Sequence, residues 1–382
     1  MEKIVRLGII GLGGMGQFHA DNLLAGKVTA CELTAVADSD ESSLEKYSAL
    51  ETFRKGEDLI QSDTIDAVLI ATPHFFHTTL GIKALDAGLH VLVEKPISVH
   101  KSDAEKLIAA HKSEKQVFSG MFNQRTDPKF LKVKQLIDSG ELGEITRINW
   151  IITDWFRTSS YYANGQWRAT WKGEGGGVLL NQCPHQLDLL QWLCGMPSRV
   201  TGFAQLGAKH DIEVEDQVTA YMEWANGATG VFITSTGEAP GTNRLEIAGE
   251  RGKLIVENDQ IAFTRNEVPM TEFGRTAPGG FDKPDTWEIR IPYQVNPEQH
   301  VTIIQNFVHA ILKHDGLIAP AAEGIHSVEL ANAILYSALT GQTIQLPLDG
   351  AAYAKKLETL VAGSNYDRKV VKKVKQDMSK SF

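Results

Sequence analysis

The sequence predicts an α/β protein in two parts, a parallel sheet wound with helices followed by an α+β domain with a mostly antiparallel sheet. Three observations predict it. Short β-rich apolar runs alternate with helical stretches five times over the first ~120 residues, the pattern of a wound parallel sheet. From Asp127 onward, alternating apolar/polar runs follow one another with few long helices between them. The length of 382 residues exceeds what one compact core usually spans.

Taken in order, strands are expected at 5–10, 33–37, 67–71, 90–93 and 116–119, and helices after the first glycine turn and at 43–49, 77–87 and 102–112. A helix at 129–139, closed by Gly140, leads into a strand at 145–153, an aromatic loop and a helix at 185–194. Strands at 200–206, 217–224, 228–235, 243–248, 253–257 and 260–264 then form a meander with one helix-covered face. Its other face must be solvated or buried in a partner, so an oligomer is expected. Helices at 301–313 and 322–341 precede the close. The division is 1–123 for the first domain and 124–382 for the second, with the C-terminal helices able to pack back on the first.

Composition excludes several classes. With 42% hydrophobic and 22% charged residues the chain is ordinary for a globular protein. Its net charge of −9 is spread along the chain, whereas a nucleic-acid partner needs a clustered positive surface. The one basic run, Arg368, Lys369, Lys372, Lys373 and Lys375, reads as a solvated terminal helix or frayed end. Cys31, Cys183 and Cys194 form no CxxC pair, which suggests neither a disulfide framework nor a zinc cage and fits a reducing compartment. The apolar stretch after Met1 is too short for a signal peptide, and no run approaches the ~18 apolar residues of a membrane helix. A cytoplasmic protein with neither membrane nor nucleic-acid partner is expected.

Gly11-Leu12-Gly13-Gly14-Met15-Gly16 follows a strand and opens a helix. Gly11 can make the tight turn, Gly13 can admit a pyrophosphate, and Gly16 can let helix and strand pack closely, which is the Rossmann dinucleotide fingerprint. The phosphates would sit at the helix N-terminus, where unpaired N–H groups favour anions. The second strand ends at Asp38, an acid that would accept both ribose hydroxyls and repel a 2′-phosphate, so NAD is expected over NADP. Neither Ser39 nor Asp40 supplies an arginine for that phosphate.

Two later strands end in Ala71-Thr72-Pro73-His74 and Val93-Glu94-Lys95-Pro96, at the edge where open parallel sheets place ligands. Thr72, Pro73, His77, Glu94 and Lys95 are therefore expected around the nicotinamide. A lysine there can hold a substrate hydroxyl and steady charge developing on oxygen. Far downstream, Asn181 and His185 stand four residues apart, on one face if the backbone is helical. Histidine titrates near neutrality and suits removal of a hydroxyl proton. His74, His77 and His185 have neither a carboxylate cluster nor a matched spacing, so no metal is expected. Between 154 and 171 the chain concentrates aromatics and arginines, fit for a polyhydroxylated ring. Arg157, Tyr162, Trp167 and Arg168 are the candidates, with Asn123 and Arg125 at the seam between domains.

GLGGMG, ATPxxxH, EKP and GGGxxxNxxxHxxD, in this order, resemble the Gfo/Idh/MocA family of sugar and cyclitol dehydrogenases over nearly the whole chain. The resemblance implies a Rossmann domain joined to a domain with a large open sheet, and dimers or tetramers formed through that sheet. It also implies hydride transfer at a ring carbon bearing a hydroxyl. By it, Lys95 binds the reacting hydroxyl, His185 is the general acid/base and Pro96 shapes the loop. Asn181 stands where many relatives have aspartate; an amide can orient but not relay a proton, so activity is expected with a shifted pH profile. Asp188 reads as a helix-packing or hydrogen-bonding support. The competing functions are an NAD-dependent glycoside hydrolase on the same fold and a non-catalytic NAD sensor.

Overall fold

The protein, a computed structural model, is described over residues 3–163 and 167–365. The basic run from Arg368 to Lys375 lies outside the described residues.

Six strands form the first sheet: β1 (Val5–Ile10), β2 (Cys31–Ala37), β3 (Glu51–Phe53), β4 (Ala67–Ile70), β5 (His90–Val93) and β6 (Phe118–Gly120). All pair in parallel, in the order β3-β2-β1-β4-β5-β6. That is the doubly wound dinucleotide-binding order. Strands covered on both faces read as continuous apolar runs, and β4 is buried at every residue. β3 escapes the sequence reading because it is a three-residue edge strand with two exposed positions. The winding reverses across β1, whose neighbours are β2 and β4, and this opens a crevice beyond the C-terminal strand ends.

The second sheet contains β7 (Ile145–Ile152), β8 (Arg199–Leu206), β9 (Glu215–Glu223), β10 (Thr229–Ser235), β11 (Asn243–Gly249), β12 (Gly252–Glu257), β13 (Gln260–Asn266), β14 (Thr286–Ile291) and β15 (Ile344–Gln345). Their order is β14-β13-β12-β11-β7-β10-β9-β8-β15, antiparallel throughout except that β10 runs parallel to β7. Burial alternates along β10 and β11, so one face carries Trp150, Phe232, Leu245 and Leu254 into the core. Helices Pro128–Asp138, Pro184–Cys194 and Gly324–Thr340 contribute Val133, Leu187 and Ile334 to that core. The opposite face carries Phe203, 68% exposed, and Tyr221. Asn258 and Asp259, at φ 49° and 55°, make the two-residue turn between β12 and β13, a conformation that Asn and Asp tolerate better than most residues. β14 and β15 went unread because β14 is an exposed edge and β15 only two residues long.

The helix Gln299–Lys313 returns to the first core, into which it inserts Ile304, Phe307 and Val308. Two buried ionic ties cross between distant segments. Lys101 Nζ donates to Glu329 Oε1 at 2.9 Å, and Arg125 grips Asp188 with two bonds of 2.7 Å.

Candidate functional site

The glycine loop leaves β1 with Gly11 at φ +93°, a conformation that L side chains rarely adopt. A Cβ on Gly16 would collide with the Gly11 carbonyl, whereas one on Gly13 would meet nothing within 4 Å. The loop is therefore closed on its packing side and open on its outer side. Helix Gly14–Leu24 begins there with no side-chain cap, which leaves its first N–H groups facing the opening. Gly14 and Met15 are its first two residues. Asp38 Oδ2 accepts from Leu12 N–H at 2.6 Å and Oδ1 from Asp40 N–H at 2.8 Å, so the carboxylate is fixed against the glycine loop. The arginine missing from the next two residues comes from further along: Arg54 donates to the Ser39 carbonyl at 2.7 Å and to Glu41 at 2.8 Å.

Beyond β4 and β5 the loops carrying Thr72 and Lys95 lie side by side. His77, 1% exposed, joins them, with Nδ1 at 2.8 Å from the Pro96 carbonyl and Nε2 at 2.8 Å from that of Thr72. A neutral imidazole has one N–H to donate to either carbonyl, so His77 lies buried between the two loops and is bonded to one of them at a time. Thr72 Oγ1 is buried without a partner and Pro73 is half-buried beside it. Glu94 is likewise turned inward: its Oε1 accepts from His19 Nε2 at 2.6 Å and its Oε2 from Lys95 N–H at 3.2 Å. Burial raises this carboxyl, but the His19 hydrogen bond together with the charges of His19, His300 and Lys95 outweighs it and leaves Glu94 below the usual carboxylate value. The Lys95–Pro96 bond is cis.

Lys95 Nζ donates to the Asn181 carbonyl at 2.8 Å, joining segments 86 residues apart. Burial lowers its ammonium below the usual lysine value; Glu94 and Glu174 oppose this, and Arg168 and Arg157 add to it. Asn181 and His185 do not share one helix, contrary to the even spacing. Asn181 ends the short helix Val178–Asn181, and His185 opens Pro184–Cys194. Pro184 has no N–H to continue the first helix and is preset to start the second. Glu215, fully buried, caps the short helix by accepting from Gly177 N–H at 2.9 Å and Leu179 N–H at 3.1 Å, and burial pushes its carboxyl up to about 7. His185 is 7% exposed, with an unpartnered Nδ1 and Phe122 edge-on at 6.3 Å. Burial, then the charge on Lys95, hold it well below the ordinary histidine value, so it is neutral at pH 7.

Two groups that sequence reasoning missed complete this wall. Glu174, 2% exposed, accepts from Asn181 Nδ2 and from Ala169 N–H. Tyr161 donates to Asn181 Oδ1 at 3.3 Å and accepts from Arg168 at 2.8 Å and Gln182 at 3.1 Å. A lone Glu before three glycines carries no periodic signal, and Tyr161 could not be told from Tyr162 without the phase of the turn that holds them.

The remaining candidates divide. Arg168 stacks over Tyr161 and Trp167 at 4.7 and 4.8 Å, and Arg157 over Tyr161 at 5.1 Å, so both arginines lie on one phenol ring and Trp167 joins them through Arg168. Trp167 also meets the ring of His74 at 5.7 Å. Tyr162 is instead buried, with its hydroxyl donated to Thr236 at 2.7 Å, and offers no surface to a substrate. Arg125, 1% exposed, is bound to Asp188 and Glu323, which corrects its reading as a substrate contact and gives Asp188 its expected supporting place. Asn123 donates to Gln299 at 3.0 Å and keeps a buried, unpartnered Oδ1.

Comparison with known proteins bears on the family and the fold. A family model described as an oxidoreductase family with NAD-binding Rossmann fold matches residues 5–122, and the GFO/IDH/MocA C-terminal domain matches 130–255. An inositol 2-dehydrogenase of Rubrobacter xylanophilus is 27% identical over 96% of this chain and 97% of its own. The myo-inositol 2-dehydrogenase of Thermotoga maritima is 26% identical over 66% of this chain and 75% of its own. Among solved structures, the WlbA dehydrogenase of Bordetella pertussis in complex with NADH and UDP-GlcNAcA superposes with a TM-score of 0.76 at 25% identity, covering 91% of this chain and all of that one.

Proposed function

The chain belongs to the Gfo/Idh/MocA family of oxidoreductases, and from that premise we propose that it is an NAD-dependent dehydrogenase oxidising a ring CH–OH of a sugar or inositol-like cyclitol. The observation that carries this is the meeting of Lys95 and Asn181 at 2.8 Å beside the strand ends that the glycine loop opens onto. The residues fit a dinucleotide: Gly13 leaves room for a pyrophosphate, the uncapped helix supplies N–H groups, and Asp38 stands at the ribose position. Bound there, NAD supplies the hydride acceptor. Asp38 favours NAD over NADP, since Arg54 is already engaged by Glu41 and Ser39.

Lys95 receives the substrate hydroxyl and stabilises charge developing on its oxygen. His185, neutral and close to Lys95 in charge interaction, takes the hydroxyl proton. Asn181 holds Lys95 through its carbonyl. Arg157 and Arg168, stacked on Tyr161, and Trp167 beside Arg168 meet the substrate ring and its hydroxyls. The open sheet face bearing Phe203 and Tyr221 is the surface through which copies pair as dimers or tetramers. With free thiols at Cys31, Cys183 and Cys194 the reading is of a cytoplasmic protein, and no described helix is long and apolar enough to cross a membrane.

The test is NADH appearance with NAD, and separately NADP, across inositols, aldoses and simple glycosides. Turnover of a free cyclitol or sugar with NAD is expected. A base must be unprotonated and His185 is depressed below 6.5, so kcat/KM should stay level as pH falls through 6.5 and drop only below it. Glycoside cleavage without NADH would replace the reading with the hydrolase, and tight NAD binding without turnover would replace it with the sensor.

A further inference from the structure

Glu174 is a buried carboxylate with no ion pair within 4.0 Å among the described residues, yet it stands in the wall that holds Lys95. Such a group is costly unless its environment supplies donors and positive charge. Here it has both. Its two oxygens face two N–H donors, Ala169 N and Asn181 Nδ2, an arrangement suited to the acceptor-only ionised form. Burial lifts its carboxyl above the usual glutamate value, and Arg168, the two hydrogen bonds and Lys95 oppose that rise; Glu215 and Tyr162 are the other titratable groups near it. The hydrogen bonds form a chain from Glu174 through the Asn181 side chain, with the Asn181 carbonyl as the acceptor of Lys95 and Tyr161 closing the other end of the amide. The Asn181 amide is thus gripped at both ends, nitrogen by carboxylate and oxygen by phenol.

We propose that Glu174 is a positioning residue for Lys95: its carboxylate orients Asn181, so that the Asn181 carbonyl fixes the ammonium, and it supplies the negative charge that balances that ammonium in a cleft rich in arginine. This rests on the reading of Lys95 as the residue that receives the substrate hydroxyl. An amide at 181 leaves the site without a carboxylate at that position, and Glu174 provides one a single hydrogen bond away. A purely structural role, in which Glu174 only ties the turn at Ala169, would not involve Lys95 at all.

The test compares wild type, Glu174→Gln and the double variant Glu174→Gln/Asn181→Asp, which moves the carboxylate to the other end of the same hydrogen bond. The pH dependence of Lys95 acetylation by acetic anhydride, read by peptide mass spectrometry, reports the amine without requiring turnover. Facing Lys95 besides Glu174 are Glu94, Arg168, Arg157 and the histidines His74, His77 and His185, and these stay in place. Removal of the negative charge should move the Lys95 midpoint down by about one unit and lower kcat on the order of tenfold, with NAD affinity unchanged. The double variant should bring the midpoint back. An unmoved midpoint in Glu174→Gln overturns the proposal. If that variant does not fold, the double variant is read against Asn181→Asp alone: a lower Lys95 midpoint in the double variant supports the proposal, and equal midpoints overturn it. Absence of turnover by wild type on every substrate would count against the dehydrogenase reading only, since the acetylation midpoints still decide the role of Glu174.

Discussion

The two walls of the cleft are made in different ways. On the nucleotide side the working surface is backbone: a glycine loop, an uncapped helix start, and strand-end loops with His77 buried between them. On the opposite side it is a side-chain network in which Lys95, Asn181, Glu174, Tyr161 and Arg168 hold one another. The backbone wall tolerates no added atom where it packs, whereas the side-chain wall depends on which polar atoms remain to complete it. Substitutions on the two sides should therefore fail differently, as structure or affinity on one and as rate on the other.

The sharpest contrast sets two cations against each other. Arg125→Ala would strand the fully buried Asp188 carboxylate without its partner, which should cost about 3–5 kcal/mol in urea unfolding. Lys95→Ala removes a group with part of its surface open to the cleft, and should leave urea unfolding nearly unchanged and NAD affinity close to intact. Turnover, however, should fall by on the order of a hundredfold or more. If the two variants behaved alike, the assignment of Arg125 to structure and Lys95 to chemistry would be wrong.

Within the backbone wall the contrast is between two glycines three residues apart. Gly16→Ala drives a methyl into the Gly11 carbonyl, and about 1–3 kcal/mol of stability should be lost along with NAD binding. Gly13→Ala meets no protein atom, so its melting temperature should hold while NAD affinity, measured by calorimetry, drops because the methyl stands where the cofactor must approach. A normal NAD affinity in Gly13→Ala would mean that the pyrophosphate does not cross this loop.

What could be read from sequence follows the same division. The glycine loop was legible because each glycine answers a local steric demand, and the parallel strands because burial on both faces leaves unbroken apolar runs such as Ala67-Val68-Leu69-Ile70. Strand ends then located Lys95. The side-chain wall was only half legible: Asn181 and His185 carry a motif, but Glu174 meets Asn181 through the fold of a glycine turn that no periodicity encodes. Arg125 misled for a related reason. An arginine at a domain seam can face the cleft or a buried carboxylate, and only the packing of helix Pro184–Cys194, which brings up Asp188, decides between them.

The smallest expected effect is also the most local, because Tyr161 and Tyr162 are neighbours on one turn and differ only in where that turn aims them. Removing the Tyr162 hydroxyl leaves the buried Thr236 hydroxyl without that donor, so Tyr162→Phe should cost about 1 kcal/mol in unfolding and leave kcat alone. Removing the Tyr161 hydroxyl takes a donor from Asn181 Oδ1 and an acceptor from Arg168 and Gln182, in the network that holds Lys95. Asn181 then has one fewer restraint on the carbonyl that holds Lys95, so Tyr161→Phe should lower kcat a few-fold with little change in stability. Steady-state kinetics and urea unfolding on the same two proteins separate the cases. A reversed result, rate lost with Tyr162 and stability lost with Tyr161, would turn the aromatic turn over and place Tyr162 against the substrate after all.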